Sequence, residues 1–133
     1  MRSGLWAVAI LASWAGRAPA QQVKSIRLEA DSSRDEYRFT PATVSARPGD
    51  VLVFKVVSGS PHSIVFREQG LTREAHEALN AALPHRAADL SSPLLTASGQ
   101  EYRVTVPQLP PGTYPFFCLP HRAYDMRGEL LVR

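Results

Sequence analysis

The chain has 133 residues, enough for one domain, and carries 15 Lys+Arg, 12 Asp+Glu, four His and a single Cys. One cysteine excludes an internal disulfide framework, and scattered arginines with no basic block leave no footprint for nucleic acid. The first twenty residues read as an export signal: Arg2, an apolar run from Leu5 to Ala15, then Ala18-Pro19-Ala20 before Gln21. That is a positive start, an apolar core and a small-x-small cleavage site. The run is about half of the roughly 20 residues needed to cross a bilayer, and no later stretch is longer. The expectation is a cleaved signal peptide over 1–20, one domain over 21–133, and an exported protein, periplasmic or otherwise extracytoplasmic, with no integral membrane span. Without Arg2 and Arg17 the 15 basic residues outnumber the 12 acidic ones by only one, so the basic character of the whole chain belongs largely to the leader.

Beyond residue 20 the pattern is mostly alternating, which predicts strands. Ile26, Leu28 and Ala30 share one face of Ser25–Ala30, and Val44 points inward between Thr43 and Ser45. Arg47-Pro48-Gly49-Asp50 suits a type II turn, because Pro presets φ at the second position and Gly accepts positive φ at the third. Val51 to Val57 is nearly all apolar, as in a strand buried on both faces. His62, Ile64 and Phe66 share one face of the next strand. Thr72 caps a short helix whose Leu71, Ala75, Leu79 and Leu83 recur every four residues, and Pro84 stops it. Residues 85–100 read as a polar, irregular surface connection. Tyr102, Val104 and Val106 alternate, as do Tyr114, Phe116 and Cys118, and residues 128–132 form a last short strand. The predicted fold is all-β, a Greek-key antiparallel sandwich with one short helix.

The chemistry gathers in residues 112–128, GTYPFFCLPHRAYDMRG, which hold the only Cys, a His three residues later and Met126 five residues after that. A thiolate, an imidazole and a thioether on one short loop are ligand types that suit copper. A blue-copper site needs two His and one Cys in a trigonal plane with a long, weak axial Met. The second His must come from elsewhere. His62 is the natural candidate, since its strand alternation points it to the core side. The metal ligands read from the sequence are therefore His62, Cys118, His121 and Met126, whereas His76 and His85 match no ligand position.

The loop Cys118-Leu-Pro-His121-Arg-Ala-Tyr-Asp-Met126 resembles the C-x-x-H-x-x-x-x-M ligand loop of plastocyanin-like blue-copper proteins, the cupredoxins. The preceding Gly112-x-Tyr114-x-Phe116-x-Cys118 matches as well. So do Phe39-x-Pro41-x-x-Val44, Pro48-Gly49-Asp50-Val-Leu-Val-Phe54 and Pro61-His62-Ser-Ile-Val-Phe66. The resemblance covers most of residues 37–67 and 101–133, and residues 71–100 carry no such motif. It implies one copper ion cycling between Cu(I) and Cu(II), one-electron transfer and no enzymatic activity. It also implies that the edge of His121 reaches the surface among Pro61, Leu119, Pro120 and Ala123, where redox protein partners dock on a monomer.

Copper enzymes of this type flank the Cys with His on both sides, but here the neighbours are Phe117 and Leu119. A binuclear centre needs a second Cys, and position 122 is Arg. A Cys–His hydrolase would need an orienting group and an oxyanion site, and neither is recognisable. The alternative from another class is a module that stores, delivers or senses copper without carrying electrons. It differs from a carrier in its redox cycling.

Overall fold

Where apolar residues alternate, one face of the chain must leave water, and two such faces close on each other as a sandwich. The computed structural model, which describes Ser13 and residues 15–133, realises this with eight strands in two four-stranded sheets. The first sheet, in the order β2-β1-β4-β6, holds β1 (Val23–Asp31), β2 (Glu36–Thr40), β4 (Val51–Val56) and β6 (Glu101–Thr105). The second, in the order β3-β8-β7-β5, holds β3 (Thr43–Ala46), β5 (Val65–Phe66), β7 (Gly112–Phe117) and β8 (Arg127–Val132). The expected signal segment lies largely outside the described residues, and its described part is exposed and irregular. Among the described residues no helix is long and apolar enough to cross a membrane.

The sheets are mixed rather than wholly antiparallel, because β1 runs parallel to β4 and β3 runs parallel to β8. After β2 the chain crosses to the second sheet as β3. The Arg47–Asp50 turn then returns it, so that β4 lands beside β1 in the same direction. That turn has the expected form: Gly49 takes φ +94° and the Asp50 N–H donates to Arg47 O at 3.0 Å. The interior centres on four phenylalanines drawn from both sheets. Phe116 on β7 meets Phe39, Phe54 and Phe66 edge-on, with ring centroids 4.9, 5.6 and 5.7 Å apart. Such pairs contribute roughly 0.5–1.5 kcal/mol each beyond their burial.

The helix α1 (Arg73–Ala82) begins where Thr72 predicts, with the Thr72 hydroxyl accepting from the Ala75 N–H at 3.1 Å. It buries Ala75 and Leu79, with Leu83 following. The connection after it departs from expectation. Leu90, Ser91, Ser92 and Leu95 are buried, and the segment runs beside the His62 strand, pairing His62 with Leu95 and Val65 with Ser91. Isolated apolar residues without a period give no sign of burial in a sequence. The predicted strand through His62 is correspondingly short, with only Val65 and Phe66 in regular pairing to β7.

Candidate metal centre

His62 and the loop after β7 meet at one end of the sandwich. The donor atoms of His62, Cys118 and His121 all lie within 4.8 Å of one another, and all three residues are buried. Cys118 Sγ is 3.7 Å from His62 Nδ1 and 3.5 Å from His121 Nδ1. Nitrogen and thiolate ligands held in a plane at about 2.0–2.3 Å from a shared ion would lie roughly 3.5–4 Å apart, so the spacing fits a trigonal metal site. Met126, the fourth residue read from the sequence, is buried beside them. Its N–H donates to His121 O at 3.3 Å, and its carbonyl accepts from the Cys118 N–H at 3.0 Å. The loop is thus closed on itself around the site. A 3-10 turn (Arg122–Tyr124) and Asp125 at φ +57° make the reversal.

Each imidazole is prepared for a cation. His62 Nε2 lies 2.6 Å from Ser58 O, and because a carbonyl can only accept, Nε2 carries the proton and Nδ1 keeps its lone pair. Burial holds the His62 imidazolium pKa below its ordinary value, against a smaller opposing pull from the Ser58 carbonyl. Burial also lowers that of His121, reinforced by the neighbouring His62. Burial pushes the Cys118 thiol up, while hydrogen bonds from Ser63 and His121 pull it back in part. A cation is what converts such a thiol to thiolate, with release of its proton.

Three contributors around the site were not foreseen from the sequence. Ser63 bridges the two ligand segments: its N–H donates to Cys118 Sγ at 3.4 Å and its hydroxyl accepts from the Leu119 N–H at 3.1 Å. Its adjacency to His62 was the available signal. Ser58 acts through a backbone carbonyl, which no residue type announces. Tyr37 on β2 stacks on the His121 ring, centroids 3.9 Å apart and planes 14° from parallel, leaving His121 8% exposed. No signal singles out Tyr37, because the five residues of β2 are too few and too polar to show alternation. His76 and His85 stay away from the centre, and His76 instead contacts Asp89 at 2.8 Å. Arg122 lies over the Phe117 ring at 4.8 Å, and Arg127 pairs with Asp125 at 3.2 Å.

Residues 26–133 match the model of the copper-binding plastocyanin/azurin family. The chain is 33% identical over 132 residues to the chloroplastic plastocyanin minor isoform of Arabidopsis thaliana, covering 98% of this chain and 69% of that one. It is 35% identical over 94 residues to plastocyanin of Lactuca sativa, covering 71% and 86%. Among solved structures, a mutant plastocyanin of fern superposes with a TM-score of 0.64 at 25% identity, over 83% of this chain and 100% of that one. A reduced amicyanin variant, at 20% identity and TM-score 0.57 over 86% of each chain, shares the fold. With the sandwich and the buried His-Cys-His cluster, these similarities mean that the chain belongs to the plastocyanin/azurin family of copper-binding proteins, which hold one copper ion and are electron carriers rather than enzymes.

Proposed function

We propose that this chain is an exported, monomeric one-electron carrier whose copper is held by His62, Cys118, His121 and Met126. The observation that carries the reading is the convergence of His62, Cys118 and His121 within 4.8 Å, across a sequence gap of 56 residues. When bound, copper supplies a one-electron Cu(I)/Cu(II) couple, and thiolate and thioether favour the reduced ion while imidazoles suit both states. The chain's own task is to keep its donors still. The Ser58 carbonyl fixes the His62 tautomer, Ser63 ties the His62 segment to Cys118 and Leu119, and the Met126 backbone closes the loop. Donors that do not move between oxidation states leave little to reorganise, which makes transfer fast. Burial excludes water from the thiolate.

Redox partners dock where the loop reaches solvent, at exposed Leu119 and Tyr124 beside Tyr37 and His121. Residues 1–20 direct export and are removed, so the mature N-terminus is Gln21. Mass spectrometry of the protein from the extracytoplasmic fraction checks that boundary.

The test is the visible and EPR spectrum of residues 21–133 loaded with Cu(II), beside Cys118→Ser and Met126→Leu. An intense thiolate-to-copper band with narrow hyperfine splitting, abolished in Cys118→Ser and altered in Met126→Leu, is expected. A colourless Cu(II) protein would overturn the carrier reading in favour of copper storage or delivery.

A further inference from the structure

The two polar backbone groups of His62 depend on a segment, residues 90–95, that carries none of the motifs quoted from the sequence. Its N–H donates to Leu95 O at 2.9 Å and its carbonyl accepts from the Leu95 N–H at 2.8 Å. Two residues on, Ile64 is held the same way: its N–H donates to the Ser92 hydroxyl at 2.9 Å and its carbonyl accepts from the Ser92 N–H at 2.9 Å. The Phe66 N–H donates to Leu90 O at 2.9 Å. Residues 90–95 therefore act as an edge strand for the stretch that presents His62. The Ser92 hydroxyl stands in for a backbone carbonyl opposite the Ile64 N–H, and the Ser92 N–H serves the Ile64 carbonyl beside Pro93, which has no N–H to give.

That edge is itself held in an uncommon shape. Leu90 is buried at φ +55°, a conformation rare for a bulky residue and sustained only where surrounding contacts over-determine it. The contact that does so comes from α1. Asn80 Oδ1 accepts from the Leu90 N–H at 2.7 Å, and Asn80 Nδ2 donates to Asp89 Oδ1 at 2.6 Å. His76, one turn earlier on the same helix face, takes the other carboxylate oxygen of Asp89 at 2.8 Å. One amide side chain thus fixes both residues at the start of the edge.

We propose that Asn80 is a positioning residue for His62: by clamping Asp89 and Leu90 to α1 it sets the register of residues 90–95, and these hold the His62 backbone. The functional part of this inference rests on His62 being a copper ligand. The mechanical part does not.

The experiment uses Asn80→Ala, Asp89→Asn (which keeps an acceptor for the Asn80 amide) and Val44→Ala, a core truncation on β3 remote from the clamp. Amide hydrogen exchange is measured on the metal-free proteins. In Asn80→Ala the amides of His62, Ile64 and Leu95 are expected to exchange about tenfold or more faster than in Val44→Ala, once both are corrected for global stability. Asp89→Asn is expected to stay near the unsubstituted protein. Equal exchange in Asn80→Ala and Val44→Ala would overturn the clamp. In the Cu(II)-loaded proteins, Asn80→Ala is expected to change the copper hyperfine splitting and Val44→Ala to leave it alone. Faster exchange with an unchanged splitting overturns the positioning role. An unsubstituted protein without a copper–thiolate signal fails the ligand reading instead, and the exchange data still decide the clamp.

Discussion

At the scale of single residues, the site is built from small groups with two uses each. Ser63 offers its N–H to Cys118 Sγ and its hydroxyl to the Leu119 N–H, and it is buried. Ser63→Ala leaves a part-buried N–H without a partner, so the metal-free protein should lose about 1–3 kcal/mol in urea unfolding. Asp50 does comparable work at the opposite turn. Its carboxylate accepts from the Arg47 and Gln22 N–H groups at 2.9 Å each, and these bonds hold its pKa below the usual 3.8. A lowered folded-state pKa means that this carboxylate stabilises the fold above pH 3.8 and loses that contribution as pH falls through the folded value. Asp50→Asn should be less stable than the parent at pH 7, and the gap should narrow towards pH 2 in unfolding curves followed by circular dichroism.

At the scale of elements, legibility in the sequence followed whether the signal was local. The ligand loop could be read because Cys118, His121 and Met126 sit within nine residues, and α1 because cap and four-residue period coincide. His62 is legible from the phase it shares with Ile64 and Phe66 and from the Pro61–Phe66 motif, and His62, Ile64 and Phe66 are all buried. The strand β2 went unread, and with it Tyr37, since Glu36 to Thr40 is too short and too polar to show alternation. Residues 90–95 were missed for another reason: their pairing runs through a serine side chain and a left-handed leucine, which leave no periodic trace. The parallel pairs were hidden too, because direction in a sheet depends on where the chain crosses between layers. One element junction gives a sharp prediction. A Cβ on Gly128, in β8, would stand 2.6 Å from the Phe116 ring and 2.8 Å from Ala42 O. Gly128→Ala forces the central phenylalanine or the β3 approach to move, so it should cost about 1–3 kcal/mol by denaturant titration.

At the scale of the whole molecule, the metal centre spans elements that only the finished fold brings together. His62 precedes the short strand β5, the other candidate ligands follow β7, and Tyr37 reaches over from the first sheet. An unfolded chain therefore offers no converged site, and an ion that binds only the folded form must raise its stability. Adding Cu(I) or Cu(II) should raise Tm in a concentration-dependent way, by an amount equivalent to about 4 kcal/mol at a thousandfold excess over Kd, and a chelator should reverse it. His62→Ala should blunt that rise far more than His85→Ala. The burial of Cys118, 0% exposed, has a consequence for the protein's lifetime. Outside a reducing cytosol a free thiol ages: it climbs through sulfenic acid to irreversible oxides or is captured by stray thiols. Sealed in the sandwich with its thiolate disfavoured, Cys118 is out of reach of such reagents while the chain waits for its ion. Each unfolding event breaks that seal, so a molecule that opens before loading exposes Cys118 to those reagents.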